Sequence, residues 1–167
     1  IINCAAYTAV DACEQETELS WQINSDGPKY LAQAAERLNS RLIHISTDYV
    51  FDGLKKVPEP YVESDTPNPL SQYGRSKLAG EKAVSEYASN HVILRTAWLY
   101  SSSGKNFLKT MLRLAVSDPD RELKVVNDQF GSLTWSYTLA LQIQKLLHSD
   151  LNGIMHTTAE GYSSWYE

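Results

Sequence analysis

The chain has 167 residues, of which 43% are hydrophobic and 21% are charged, a composition typical of a globular domain with a sizeable core. Its formal net charge of -5 disfavours a nucleic-acid surface, because phosphate contacts need clustered lysine and arginine. No stretch approaches the roughly 20 apolar residues of a membrane span. We therefore expect neither nucleic acid nor membrane as a partner.

Two cysteines, Cys4 and Cys13, provide neither a disulfide framework nor a metal-ligand spacing. No signal peptide is evident at the start of the chain. These features predict a cytoplasmic, reducing location and no bound metal.

Apolar runs of strand length alternate with helical patterns along the chain. Ile1 and Ile2 resemble the end of a strand, and a helical stripe covers residues 16–38, with a kink or break expected at Gly27-Pro28. Residues 52–69 contain four prolines and are predicted to be irregular. The remaining patterns predict strands over 41–46, 91–97, 123–126 and 153–157, and helices over 70–87, 106–116 and 135–148.

Strands separated by helix-length segments indicate βαβ units and a parallel sheet covered on both faces. Such sheets bind ligands in the crevice beyond the carboxyl ends of their strands. Polar clusters follow four of the predicted strands and should lie at that edge. They are residues 3–8, 46–49, 96–98 and 127–129.

Tyr73 and Lys77 are one helical turn apart and should share a face of the helix predicted over 70–87. A neighbouring cation favours the phenolate, so we expect Lys77 to lower the pKa of Tyr73. A tyrosine tuned in this way can exchange a proton with a carbonyl or alcohol oxygen. The spacing alone fits a solvated surface pair as well as a catalytic pair. The surrounding sequence is needed to distinguish these two alternatives.

A dinucleotide-binding fold normally opens with a glycine-rich turn after its first strand. No such turn occurs among the 8 glycines of this chain. Two explanations remain open: the chain does not belong to a dinucleotide-binding protein, or it begins after that unit. The start inside an apolar strand favours the second explanation.

Six sequence segments together resemble the extended short-chain dehydrogenase/reductase superfamily. Within that superfamily they are most similar to the family of dTDP-4-dehydrorhamnose reductases. The segments occur in the family's order over nearly the whole chain: INCAAYTAVD (2–11), HISTDYVFDG (44–53), PLSQYGRSKLAGE (69–81), LRTAWLY (94–100), NFLKTML (106–112) and DQFGS (128–132).

The resemblance implies a Rossmann-like, doubly wound parallel α/β sheet that binds NADPH or NADH. It implies that residues 1–167 form one NAD(P)-binding domain, with part of a small substrate-binding lobe supplied by about 98–135 and 158–167. It further implies that the glycine-rich βαβ unit precedes this chain and that the end of the lobe follows it. A homodimer is a possible assembly.

The resemblance also implies the role of each site residue. Tyr73 would donate a proton to the C4 oxygen of a nucleotide-sugar, Lys77 would lower the pKa of the phenol and bind the nicotinamide ribose, and Thr47 would position that oxygen. Asp48 and Trp98 would contact the deoxyhexose. The loop of Ala6, Tyr7 and Thr8 would line the cofactor, and Asn24 would help to orient the lysine.

The predicted reaction is the NAD(P)H-dependent reduction of dTDP-4-dehydro-6-deoxy-L-mannose to dTDP-L-rhamnose. Two alternatives stay open at this point. One is a regulatory, non-catalytic subunit of methionine adenosyltransferase, and the other is a nucleotide-sugar epimerase or dehydratase of the same superfamily.

Overall fold

A computed structural model describes residues 1–167. The strands are β1 (Ile2–Asn3), β2 (Leu42–Thr47), β3 (His91–Thr96), β4 (Leu99–Tyr100), β5 (Phe130–Gly131), β6 (Thr134–Trp135), β7 (Gly153–His156) and β8 (Ser163–Ser164). The helices are α1 (Val10–Cys13), α2 (Thr17–Trp21), α3 (Gly27–Arg37), α4 (Gln72–Tyr87), α5 (Phe107–Ser117) and α6 (Ser136–Leu146). The chain divides into two compact units.

The first unit comprises residues 1–96 and 149–156 and contains a four-stranded parallel sheet in the order β1-β2-β3-β7. Strands β2 and β3 pair from Leu42↔His91 to Thr47↔Thr96. Their residues are almost all buried, as expected for central strands of a parallel sheet. The predicted Rossmann-like parallel α/β architecture is confirmed.

Small and branched side chains allow α3 and α4 to pack closely on this sheet. The hydrophobic core is formed by Ala32, Ala35, Leu42, Val84, Ala88 and Ile93. Burying a branched side chain of this kind contributes about 1.5–3 kcal/mol, so the core fixes α4 against β2 and β3.

The predicted kink before α3 is confirmed, and it takes the form of a π-helical turn over Gln22–Asp26. Pro28 occupies the first turn of α3, and it lacks the N–H that could bond to the carbonyl of Asn24, four residues earlier. At Gly80 on α4, an added Cβ would collide with the Asn24 carbonyl oxygen. The wide turn and this glycine thus bring α4 into close contact with the segment before α3.

The second unit comprises residues 97–148 and 157–167. Strands β4 and β6 pair in parallel, and β5 and β8 pair in antiparallel fashion. The prediction of a strand over residues 123–126 is wrong, because this segment pairs with no other strand. Its apolar residues Leu123 and Val125 instead line a groove beside α5 together with Trp165.

None of the helices combines the length and the apolar character that crossing a membrane would require.

Candidate active site

The first turn of α4 carries the tyrosine that the sequence singled out. Ser71 caps this helix by accepting a hydrogen bond from the Gly74 N–H at 3.1 Å. A Cβ at Gly74 would collide with the carbonyl oxygen of Tyr49, so only glycine permits this close approach. The start of α4 is thereby held against the 3-10 turn Asp48–Val50, which directly follows β2.

Tyr73 and Lys77 are both buried, with 8% and 1% of their surfaces exposed. The reading of this pair as a solvated surface pair is therefore wrong. The ring of Tyr73 packs against the ring of Tyr49 in an edge-on geometry, with 5.4 Å between the centroids. The pair lies at the carboxyl end of β2, where parallel α/β sheets place their ligand sites.

The expected lowering of the Tyr73 pKa by Lys77 is wrong in this structure. Burial raises the pKa of Tyr73 to about 12, and a hydrogen bond with Thr47 only partly opposes that rise. Negative charge on Asp48 raises the pKa of the phenol further. Removal from water outweighs any nearby cation, so Tyr73 holds its proton firmly at neutral pH.

Lys77 points at the backbone of β2, where its Nζ donates a hydrogen bond to the carbonyl oxygen of Ile45 at 2.7 Å. Burial lowers the pKa of Lys77 to about 8, while the charge of Glu81 acts in the opposite direction. The side chain is therefore mostly an ammonium ion near pH 7, and it becomes neutral only a little above that pH.

Thr47 is the last residue of β2 and joins the turn to the tyrosine. Its hydroxyl donates to the carboxylate of Asp48 at 3.1 Å and accepts from the Tyr49 N–H at 3.2 Å. The same hydroxyl lies close enough to the Tyr73 phenol to act on it, and it lowers the pKa of the phenol against the larger effect of burial. The structure thus brings Thr47, Tyr73 and Asp48 together.

Asp48 is partly buried beside this hydroxyl. Desolvation raises the pKa of its carboxyl to about 6, against the hydrogen bonds from Thr47 and from the backbone of the turn. The Asp48 carboxyl is therefore mostly ionised at neutral pH, and its carboxylate oxygens can accept hydrogen bonds from hydroxyl groups.

The loop after β1 holds Ala6, Tyr7 and Thr8, and Asn24 fixes its backbone. The Asn24 side chain accepts from the Tyr7 N–H at 2.8 Å and donates to the Tyr7 carbonyl at 3.0 Å. It also donates to the Ser76 hydroxyl on α4 at 3.1 Å. Asn24 is fully buried and therefore ties the loop to the helix that carries Tyr73.

The expected help of Asn24 in orienting Lys77 stays a prediction, because no direct bond joins the two side chains. The amide makes its hydrogen bonds to the loop and to Ser76, whereas Lys77 is oriented by the Ile45 carbonyl.

Trp98 belongs to the second unit, two residues after β3. It adopts a left-handed backbone conformation with φ of 44°, which is uncommon for a bulky residue and marks local strain. Its ring stacks on Trp165 with 3.7 Å between centroids and an interplanar angle of 19°. Gly131 lies against this ring, because an added Cβ would come within 2.5 Å of Trp98 Cε2.

Residues 127–129 do not follow a strand, contrary to the prediction, and they belong to the second unit. Periodicity could not reveal this, since the four-residue apolar run before them resembles a short strand.

Two features of the first unit escaped the sequence reasoning. His44 on β2 is fully buried, and its Nδ1 lies 3.0 Å from the Asn3 amide nitrogen. Burial and the charge of Lys77 lower the pKa of His44 to about 3, so this imidazole is neutral. Glu81 and Arg95 form a buried ion pair. The spacing of Tyr73, Lys77 and Glu81 at i, i+4 and i+8 was the available signal for Glu81.

A parallel α/β sheet whose carboxyl edge is flanked by a buried threonine, tyrosine and lysine defines a Rossmann-like domain of the short-chain dehydrogenase/reductase class. The chain belongs to the family described as the RmlD substrate binding domain, whose model matches residues 1–167.

Named relatives agree with this assignment. The chain is 48% identical over 172 residues to the dTDP-4-dehydrorhamnose reductase of Sinorhizobium fredii, with 99% of this chain and 57% of that protein covered. It is 44% identical over 172 residues to the enzyme of the same name from Escherichia coli, with 100% of this chain and 56% of that protein covered.

A solved structure of dTDP-4-dehydrorhamnose reductase from Bacillus anthracis in complex with NADP shares 44% identity and superposes with a TM-score of 0.94. The match covers 99% of this chain and 58% of that one. The chain thus spans less than two thirds of the length of these relatives. Their names do not favour the regulatory-subunit alternative.

Proposed function

We propose that the protein, at its full encoded length, uses NADPH or NADH to reduce dTDP-4-dehydro-6-deoxy-L-mannose to dTDP-L-rhamnose. The observation that carries the proposal is the buried, protonated Tyr73 with Thr47 and Lys77 beside it, in a chain 48% identical to a dTDP-4-dehydrorhamnose reductase.

The residues of the first unit fit the nicotinamide end of such a cofactor. Ala6 and Thr8 flank Tyr7, whose backbone N–H and carbonyl are both fixed by Asn24, so the loop is held in place before any ligand arrives. The Cys13 thiol also donates a weak hydrogen bond to the Tyr7 carbonyl at 4.0 Å. We propose that Ala6, Tyr7, Thr8, Tyr73 and Lys77 hold this end of the cofactor.

A reduced nicotinamide bound there would supply hydride to the carbonyl carbon. The protein must then provide a proton to the oxygen, on which negative charge develops. Tyr73 suits this role because its raised pKa keeps the proton on the phenol until a stronger base appears. An alkoxide is such a base.

Once the proton has left, Tyr73 is a phenolate in a buried site and needs a compensating charge. The ammonium of Lys77, one helical turn away, can supply that charge while the Ile45 carbonyl fixes its direction. The Thr47 hydroxyl, which lies near the phenol, can turn from the Asp48 carboxylate and donate to the same substrate oxygen. Lys77 thus stabilises the product of proton transfer, whereas burial sets the resting state of Tyr73.

Asp48 and Trp98 are proposed to contact the deoxyhexose. Asp48 offers a carboxylate beside Thr47, and Trp98 offers a flat apolar surface, which suits the face of a 6-deoxy sugar. We propose that the second unit contributes to a small substrate-binding lobe.

The assay is direct. The full-length protein is mixed with the 4-keto sugar nucleotide and NADPH or NADH, and the loss of reduced-nicotinamide absorbance is followed. We expect oxidation that depends on the keto sugar and yields dTDP-L-rhamnose. A folded protein that oxidises neither cofactor in the presence of this substrate would overturn the proposal.

A further inference from the structure

Glu81 lies on α4 one turn beyond Lys77, and only 2% of its surface is exposed. Arg95 on β3 donates to its two carboxylate oxygens, from Nε at 3.0 and 3.2 Å and from Nη2 at 2.7 Å. The hydroxyl of Ser46 on β2 donates to Oε1 at 2.5 Å. One carboxylate therefore joins a helix to two neighbouring strands.

Stability alone does not account for this buried pair. Removing two charges from water is costly, and apolar side chains of similar volume often serve as well or better. What the pair holds in place is more informative. Ser46 stands between Ile45, whose carbonyl accepts the hydrogen bond from Lys77, and Thr47, whose hydroxyl lowers the pKa of Tyr73.

Glu81 also acts on Lys77 through its charge. Burial is the main influence on the pKa of Lys77 and lowers it to about 8, and the carboxylate of Glu81 is the charge that opposes this fall. Without that carboxylate, Lys77 would lose its proton at a lower pH.

We propose that Glu81 is a positioning residue for the reaction proposed above: through Ser46 and Arg95 it holds residues 45–47 in register with Lys77 and Tyr73, and its carboxylate is the counter-charge of Lys77. The consequence of Glu81 for catalysis rests on the proposed function, but the effect of Glu81 on Lys77 can be measured without turnover.

Other titratable groups on the elements packed against α4 do not replace Glu81. His44 on β2 is neutral, the thiol of Cys13 on α1 has a raised pKa, and Arg95 is already paired with Glu81. The other ionisable groups on the elements packed against α4 are Asp11 on α1, Glu14 after it, Glu18 on α2, Asp26 in the π-helical turn, Lys29, Tyr30, Glu36 and Arg37 on α3, Asp48 and Tyr49 after β2, and His91 on β3. Of all these groups, only Glu81 influences the pKa of Lys77.

The test compares Glu81→Gln with Ser46→Ala in the full-length protein. Glu81→Gln removes the charge and retains an oxygen acceptor, whereas Ser46→Ala keeps the charge and removes one hydrogen bond. We expect the alkaline loss of kcat to begin at lower pH in Glu81→Gln and to keep its position in Ser46→Ala. If the pKa of Lys77 falls by about one unit, Glu81→Gln should have about fivefold less activity than the parent at pH 8. Glu81→Asp should recover most of the parental profile.

A ¹⁵N NMR titration of the lysine Nζ groups, with the Lys77 signal assigned from Lys77→Arg, gives a readout that does not depend on activity. We expect Lys77 to titrate at lower pH in Glu81→Gln than in the parent. If that variant does not fold, the double variant Glu81→Gln/Arg95→Gln leaves no unpaired charge and should show the same direction of change.

The two proposals can fail separately. A parent without reductase activity would overturn the proposed function, while the titration would still report on Glu81. An unchanged Lys77 titration in a folded Glu81 variant would overturn the positioning role, even if the parent is an active reductase.

Discussion

Lys77 on α4 donates a hydrogen bond to the main-chain carbonyl of Ile45 on β2, at 2.7 Å. A backbone acceptor in the middle of a paired strand cannot rotate away, so the direction of the ammonium is set by the sheet. The same strand ends two residues later at Thr47, which contacts Tyr73. Sheet geometry therefore fixes both groups that we propose to assist Tyr73 in the reaction.

Lys77→Met tests the cost of burying this amine. Its pKa is lowered from 10.5 to about 8, so the unfolded chain binds more protons than the folded protein between these pH values. Burial of the charged amine therefore lowers the free energy of unfolding by about 3 kcal/mol below pH 8. This loss of stability shrinks as the pH rises toward 10.5.

We accordingly expect Lys77→Met to be more stable than the parent at pH 7 and the difference to shrink by pH 10, as measured by urea unfolding at both pH values. A stability difference that does not change with pH would contradict this account. Activity should be lost in the same variant.

Asp48→Asn should stabilise the protein at pH 7.5 by about 1–3 kcal/mol, because the carboxyl is ionised there at a cost in the folded state. Its folded-state pKa is raised from 3.8 to about 6, so the folded protein binds more protons between these values. The advantage of the variant should therefore fade as the pH falls toward 4. Chemical unfolding at pH 4.5 and 7.5 measures the change, and a larger advantage at the lower pH would refute the assignment.

Asn24→Ala should cost about 3 kcal/mol, since it leaves the Tyr7 N–H and carbonyl and the Ser76 hydroxyl without their buried partner. We expect the KM for the reduced nicotinamide to rise in the same variant, because the loop at Ala6 to Thr8 loses its fixed backbone. Gln22→Ala, which removes an exposed amide from the same π-helical turn, is the matched control and should change neither quantity appreciably. Equal effects of the two substitutions would contradict the role given to Asn24.

Gly131→Ala should disturb the stack of Trp98 on Trp165, because the new methyl group would overlap the Trp98 ring. Overpacking of this kind costs about 1–3 kcal/mol. We expect a changed near-ultraviolet circular dichroism spectrum and a higher KM for the sugar nucleotide. Gly27→Ala meets only an ordinary 3.6 Å contact and serves as the control. An unaltered spectrum in Gly131→Ala would show that the ring is not held as described.

The main strands and α4 could be predicted from the sequence because long, regular patterns carry strong signals. Strand β2, with five of its six residues buried, and α4, with a serine cap and a 16-residue span, lie within one or two residues of their predicted bounds. The four two-residue strands β4, β5, β6 and β8 were missed, because pairing over two residues leaves no periodicity.

The burial of Tyr73 and Lys77 at one place on α4 agrees with their predicted spacing, whereas the electrostatics of the pair could not be predicted. Spacing placed Tyr73 and Lys77 on one face, and both are indeed buried on α4. Whether a cation or desolvation dominates the pKa of a phenol depends on tertiary burial, and no local pattern encodes that balance. The position of Arg95 beside Glu81 likewise depends on the packing of β3 against α4.

The central claim is that Tyr73 gives its proton to the substrate oxygen, and single-turnover reduction of the 4-keto sugar by Tyr73→Phe tests it most directly. Tyr49→Phe is the matched control, because Tyr49 packs edge-on against the same ring and is 41% exposed. We expect the rate in Tyr73→Phe to fall by about 10²–10⁴-fold with cofactor binding retained, and the rate in Tyr49→Phe to stay within a few-fold of the parent. A parental rate in Tyr73→Phe would contradict the account.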